Sequence, residues 1–299
     1  RVFDRHGERN SRHKARMKFL IQKIGFEAFM DLVKAESKAL KNHSFEIPSA
    51  TAWEVEAPTL NADVATPSTK EYATWLATNT FEQKQKGFHA VYVRILNGNI
   101  SSTTSRSLIE ALKGYIGDDI RITINQGLML KYVPTANLAY VYSVLDAHGL
   151  AAPGANSIAN ITACPGTDTC NLAISDSTNI TSKLEAVITE EFPSLIHDSA
   201  MKIKISGCMN ACGHHHVGHI GILGVDKDGS EWYQVTIGGK QGNDASLGTV
   251  IGPSFSAEEM PGVVQKLIEV YVQERTPEER FIDTVRRIGA VPFKKHVYA

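Results

Sequence analysis

The sequence predicts an α+β protein made of two consecutive folded units behind a helical lead segment. Three observations carry that expectation. Residues 70–150 alternate β-branched runs with helical stretches in the order β-α-β-β-α. Residues 151–299 pair strand-like runs across turns and close on a helical tail. Between residues 43 and 70, Pro48, Pro58 and Pro67 interrupt any periodicity, as a linker wrapped over a surface would.

The elements follow in order. Across residues 11–40, Met17, Leu20, Ile21, Ile24, Ala28, Leu32 and Val33 recur at helical steps, and Gly25 can divide the stretch into two helices. Arg9, Arg12, Lys14, Arg16 and Lys18 flank that stripe, either as a solvated face or as a face for an anionic group. "FHAVYVRIL" (88–96) reads as a strand and "NGN" (97–99) as a turn. "SSTTSRSLIEALKGY" (101–115) reads as a helix capped by its serines and threonines. "DIRITINQ" (119–126) and "GLMLKYV" (127–133) read as two strands, and "TANLAYVYSVLDAHG" (135–149) as a helix closed by Gly149. This order matches a ferredoxin-like split βαβ unit. In the second unit, "SIANIT" (157–162) and "MKIKISG" (201–207) are strands around the helix "TSKLEAVITEEF" (181–192). "HVGHIGILGV" (216–225) and "EWYQVTIGG" (231–239) form a hairpin across "DKDG". Residues 257–289 are helical, with "FSAEE" and "TPEER" as start signals.

Composition narrows the function classes. The 299 residues suffice for one large or two modest domains, and 42% hydrophobic with 21% charged residues is ordinary for a globular protein. A net charge of −1 gives no sign of nucleic-acid or membrane binding, and no apolar run approaches the length of a membrane span. With no secretory signal, a reducing cytoplasm is the expected setting. The opening, "RVFDRHGERNSRHKARMKFL", lacks an initiator Met and reads as the middle of a longer protein, so a fragment or one half is expected.

The four cysteines stand in two tight pairs, Cys164 and Cys170 as C-x5-C, Cys208 and Cys212 as C-x3-C. Three readings compete. Buried free thiols would act as small hydrophobes, but two pairs, each after a strand in a loop with Gly or Pro, are hard to obtain by chance. Zinc prefers two to four residues between paired ligands, and C-x5-C is wider. An iron–sulfur cluster takes four thiolates from loops of variable spacing. Gly166, Gly207 and Gly213 would let backbone approach a bulky cluster and present N–H groups to its sulfurs.

"TACPGTDTC" (162–170) with "SGCMNACG" (206–213) resembles the cluster signature of the sirohaem-containing nitrite and sulfite reductases. The resemblance extends over most of the chain, through "RHKARMKFLIQKIGFEAF" (12–29), "IRITINQGLMLKYV" (120–133), "IGILG" (220–224) and "VTIGGK" (235–240). It implies a [4Fe–4S] cluster on Cys164, Cys170, Cys208 and Cys212, with Cys212 also an axial ligand of sirohaem. It implies six-electron reduction of sulfite to sulfide or nitrite to ammonia, with electrons from a ferredoxin or a flavoprotein. It implies a C-terminal half: residues 1–69 a helical linker and wrap, 70–150 the ferredoxin-like domain, 151–299 an α/β iron–sulfur and sirohaem-binding domain. The arginines and lysines that grip the substrate anion belong mainly to the other half of such enzymes, so no catalytic residue is assigned. An iron–sulfur electron-transfer or cofactor-binding module without substrate chemistry is the alternative.

Several residues carry two readings. Asn210 shapes the tight loop between Cys208 and Cys212 or touches the macrocycle; Asn125 and Gln126 cap a turn or contact sirohaem; Gly239 and Lys240 form a turn or meet a sirohaem carboxylate. Arg106 has the same ambiguity. His214, His215 and His216, read as strand residues, would point to alternate faces and so would not converge on one metal; they line the cofactor cavity or donate protons. His219 is a weaker candidate.

Overall fold

The computed structural model describes residues 1–11, 14–41, 44, 58–60, 64–197 and 201–299. Arg12 of the basic cluster, Pro48 and most of the expected linker lie outside the described residues. The chain divides into two compact units, residues 1–54 and 55–299.

The first unit contains α1 (Val2–His6), α2 (Met17–Ile24) and α3 (Phe26–Lys38). Gly25, at φ +84°, makes the expected break between α2 and α3. Val2, Leu20 and Phe29 form the small buried core. The expected stripe is only partly inside: Met17 and Ala28 are exposed, and Phe29, off that stripe, is buried. Phe29 follows Leu20 by nine residues, two and a half turns at 3.6 residues each, but the break at Gly25 resets the phase between the helices.

The larger unit opens with α4 (Lys70–Asn79), capped by Thr69, whose hydroxyl accepts from the Tyr72 amide at 3.2 Å. A four-stranded sheet follows, built from β1 (Thr80–Glu82), β2 (Phe88–Val93), β3 (Ile120–Ile122) and β4 (Leu128–Pro134). Between β2 and β3 lies α5 (Ser102–Leu112), and after β4 lies α6 (Leu138–Ala147). The sheet order is β1-β2-β4-β3 with every pair antiparallel. Thus β4 inserts between β2 and β3, the split βαβ arrangement expected from the sequence. The outer edge beside β2 is taken by β1, a three-residue strand too short to show a period. Val91, Val93, Leu130 and Val133 on the sheet bury against Leu108 and Leu112 of α5 and Val141 and Leu145 of α6. Trp75 of α4, fully buried, packs edge-on to Tyr142 with centroids 5.1 Å apart.

The strand expected over 127–133 stands as β4, but the one expected over 119–126 is shortened. β3 ends at Ile122 because Thr123 starts a turn: its carbonyl accepts from Gln126 N and its hydroxyl from Gly127 N. Likewise β2 ends at Val93, and residues 96–98 form a short 3-10 turn with Asn97 at φ 54°.

The remaining elements form a six-stranded mixed sheet: β5 (Thr162–Ala163), β6 (Ile203–Ser206), β7 (Ile220–Lys227), β8 (Ser230–Ile237), β9 (Thr249–Val250) and β10 (Phe255–Ser256). Strands β5, β6 and β7 run parallel, and β8 returns antiparallel to β7. The helices are α7 (Ser177–Glu191), α8 (Met260–Glu274), α9 (Phe281–Ile288) and α10 (Val291–Val297). Ile203 and Ile205 of β6 with Ile220 and Ile222 of β7 enter one core with Leu184 and Ile188 of α7 and Val264 and Leu267 of α8. The strand expected over 157–162 is reduced to two residues, because Ser157 and Asn160 fold their segment into turns through Ser157 N–Gly154 O and Asn160 N–Ser157 O bonds. The helix expected from 181 begins earlier, at Ser177, where the Asp176 side chain accepts from Asn179 N at 3.1 Å. α8 and α9 follow the two start signals read in the tail, and a third helix, α10, extends it beyond 289.

A polar seam joins the two sheets' domains. Arg94, just past β2, donates to the Pro153 carbonyl at 2.8 Å and pairs with Glu185 of α7 at 2.9 Å. Burial pushes the Glu185 carboxyl up, against the pull of Arg94. Asn97 donates to Thr178 O and Ser182 Oγ, both at 3.2 Å. Asn79, wholly buried, donates to Ala152 O at 3.0 Å.

Candidate metal centre

Parallel strands put their chain ends side by side, and here each cysteine pair follows one of two neighbouring parallel strands. β5 leads directly into Cys164 and β6 into Gly207 and Cys208. Cys164 N donates to Ile205 O at 3.1 Å, continuing the ladder one step past β5. Across the gap, Gly207 N donates to Cys164 Sγ at 3.0 Å. The Gly207 carbonyl accepts from both Ile174 N and Ser175 N, at 2.9 and 3.1 Å, so the first loop wraps back onto the second. Space is tight: a Cβ on Gly207 would lie 2.8 Å from Ser177 Oγ, and one on Gly213 would overlap the Ile205 carbonyl oxygen.

The second loop is wound by two left-handed residues, Ala211 at φ 58° and His214 at φ 57°. Ala211 N bonds Cys208 O at 3.1 Å and His214 N bonds Ala211 O at 2.8 Å. Gly213 N bonds Ser206 Oγ at 3.1 Å. The winding buries Cys208 and exposes Cys212, while Cys164 and Cys170 are half-buried. All four thiols are free.

This donor set suits a multi-iron cluster. Among the described residues, no three His, Cys, Asp or Glu side chains converge on a single-ion site, which is what zinc would require. A cluster spreads its thiolate ligands around a larger body and takes N–H donors to its sulfurs, as Gly207 already provides at Cys164. The four cysteines sit on two loops that meet where the Gly207 amide reaches Cys164, a donor set that would suit a cluster.

The other candidates fall in distinct places. Asn210 is exposed in the turn between Cys208 and Cys212. Asn125 bonds the Asn156 side chain, and Gln126 turns its amide onto the backbone of Ala163: Nε2 donates to Ala163 O at 2.6 Å and Oε1 accepts from Ala163 N at 2.8 Å. Gln126 thereby acts as a further strand beside β5, one residue before Cys164. Gly239 is buried under the second loop, where a Cβ would lie 2.7 Å from His216 O. Lys240 pairs with Asp244 at 2.6 Å, and Arg286 reaches the same carboxylate at 3.2 Å. Arg106 is exposed on α5.

The histidines are not on a strand. His215–Val217 form a 3-10 turn, and β7 starts only at Ile220. His215 is buried and His214 and His216 are exposed. The His215 and His216 ring centroids lie 3.9 Å apart. Burial, with His216 beside it, pushes His215 down to about 4, so it is neutral at neutral pH. Its Nδ1 is buried without a hydrogen-bond partner among the described residues. His219 accepts from Lys202 N through Nδ1 at 2.8 Å and is part of the fold's packing.

Ser177 was not singled out in the sequence. Its hydroxyl is fully buried, 3.7 Å from Cys164 Sγ. Asp176–Ser177, a cap and first helical residue, is the local signal in the sequence that could point to it.

Two family matches cover most of the larger unit: the nitrite and sulphite reductase 4Fe-4S domain over residues 154–299, and the nitrite/sulfite reductase ferredoxin-like half domain over residues 81–148. The chain belongs to the nitrite and sulfite reductase family. The first of these domains is named for its [4Fe–4S] cluster. The chain is 27% identical over 296 residues to a protein of Mycobacterium tuberculosis named sulfite reductase [ferredoxin], covering 96% of this chain and 49% of that protein. It is 26% identical over 275 residues to the ferredoxin–nitrite reductase of Synechococcus elongatus, covering 89% of this chain and 48% of that protein. The solved structure of the Mycobacterium tuberculosis NirA protein shares the fold, with a TM-score of 0.71 at 24% identity over 96% of this chain and 50% of that one. The chain thus spans about half the length of the relatives it matches. No helix among the described residues is long and apolar enough to cross a membrane.

Proposed function

We propose that this chain holds the electron-delivering centre of an oxidoreductase that reduces sulfite or nitrite by six electrons, with ferredoxin or a flavoprotein as donor. The observation that carries the reading is the meeting of the two cysteine loops, where the Gly207 amide of one donates to the Cys164 thiol of the other at 3.0 Å. Cys164, Cys170, Cys208 and Cys212 would hold a [4Fe–4S] cluster, and the exposed thiol of Cys212 suits the ligand shared with sirohaem iron. When bound, the cluster and sirohaem would supply the electrons for the reduction one at a time. The protein's own part is to fix the four sulfurs, to shield Cys208 and to present Cys212 outward. Neutral, buried His215 is no source of imidazolium protons at neutral pH; exposed His214 and His216 are the histidines open to solvent. Asn210, beside Cys212 in the same turn, is the candidate for contact with the macrocycle, ahead of Asn125, Gln126, Gly239 and Lys240, whose surroundings in the fold are described above.

The test is an anaerobic absorption spectrum with iron and acid-labile sulfide assays on the full gene product. Chlorin bands with cluster iron and sulfide in the protein support the reading. Cys212→Ser is expected to alter both chromophores together. Cluster absorption without a chlorin band, in a host that supplies sirohaem, favours an electron-transfer module. A colourless protein sinks both.

A further inference from the structure

We propose that Ser177 donates its hydroxyl to the Cys164 thiolate and thereby raises the reduction potential of the cluster; this rests on the cluster reading above. Ser177 is the first residue of α7 and is fully buried. Its backbone is spent within the fold, the amide on Ser175 O at 3.2 Å and the carbonyl on Thr181 Oγ1 at 2.8 Å. Among the described residues its hydroxyl has one hydrogen-bond partner, Cys164 Sγ at 3.7 Å. Loop backbone walls it in on either side, since a Cβ on Gly207 would lie 2.8 Å from it and one on Gly166 3.0 Å. A buried hydroxyl without a partner is costly, so this geometry directs it to sulfur.

The direction of the bond follows from the chemistry. In the free thiol either atom can donate. As a cluster ligand Cys164 is a thiolate and can only accept, so the proton must come from Ser177. The sulfur then receives two donors from different segments, the Gly207 amide and the Ser177 hydroxyl, at the positive end of α7. An electron entering the cluster adds negative charge to its sulfurs. Donors aimed at a sulfur stabilise the reduced state more than the oxidised one and shift the potential upward. No bond is made or broken; the electron comes from the titrant.

The experiment is an EPR-monitored potentiometric titration of the full-length enzyme against Ser177→Ala and Thr181→Val. Thr181, one turn along α7, is equally buried and touches no thiol through its hydroxyl, so it controls for loss of a buried hydroxyl as such. Ser177→Ala is expected to make reduction about tenfold less favourable, a shift of about 59 mV to more negative potential for one electron. Pulsed EPR in deuterium oxide should lose one exchangeable deuteron coupling in Ser177→Ala and keep it in Thr181→Val. A cluster present at wild-type iron content with an unmoved potential, or moved equally by Thr181→Val, overturns the inference and leaves the reductase reading intact. A Ser177→Ala protein that loads no cluster also overturns the tuning role, leaving Ser177 a structural residue. A wild-type protein without cluster iron and sulfide fails the underlying reading instead.

Discussion

The two cysteine loops are built on opposite plans. The first is held from outside: Gln126, from the ferredoxin-like domain, pairs with Ala163, and the Gly207 amide and Ser177 hydroxyl both reach Cys164. The second is held from within: left-handed turns at Ala211 and His214 and a Ser206 hydroxyl on Gly213 N wind it tightly. Accordingly, the first loop keeps both its sulfurs half-buried and gives Cys164 two donors, and the second buries Cys208 while pushing Cys212 to the surface. Under the proposed cluster, a shared ligand would need an open side and a potential-setting ligand ordered donors, and the two loops differ in that way.

The largest expected break in that contrast is Gly213→Ala. A methyl there would occupy the place of the Ile205 carbonyl oxygen, which is backbone of β6, a strand paired on both sides, and cannot swing away. Overpacking against backbone is expected to cost about 3 kcal/mol and to unwind the second loop. A thermal melt and iron content check it; a variant that melts with the wild type and loads iron normally would show that the loop has slack. Gln126→Ala tests the outside support of the first loop. It removes two hydrogen bonds and leaves the Ala163 amide and carbonyl short of partners, for an expected loss of about 2 kcal/mol. Hydrogen exchange should show faster exchange at Ala163 with little change at Ala211, whose amide bonds lie inside the second loop.

How much of this was legible in the sequence differs by region for physical reasons. That each cysteine pair follows a strand could be read because a strand-like run stands just before each pair in the sequence. The split βαβ order could be read because β2, α5, β4 and α6 each carry a full period of buried residues. β1 and the bounds of β5 could not, these strands having three and two residues. The histidine run was misplaced on a strand because the left-handed φ at His214, which starts the 3-10 turn, leaves no mark in residue type. The roles of Gln126 and Ser177 are set by partners 37 and 13 residues away, and no local pattern announces them. Asp176–Ser177 reads only as a helix start, which it also is.

The smallest expected effect lies behind the second loop. Gly248 N bonds His216 O at 2.8 Å, so the segment from Lys240 to Gly248 backs the histidine turn, and Asp244 ties that segment to Lys240 and to Arg286 of α9. Hydrogen bonds from Lys240, then Arg286, hold the Asp244 carboxyl down to about 2 from its ordinary 3.8. A carboxyl lowered in the folded state contributes stability above its unfolded value and loses it as pH falls toward the folded one. The stability difference between wild type and Asp244→Asn should therefore be full at pH 6, shrink between about pH 4 and about pH 2, and vanish below that. Asp244 is exposed, so salt should reduce the difference at pH 6. Equilibrium denaturation at stepped pH measures it. A difference that persists unchanged to pH 2 would mean that the asparagine disturbs the segment's packing rather than its charge, and the second loop would then depend on support from outside as the first one does.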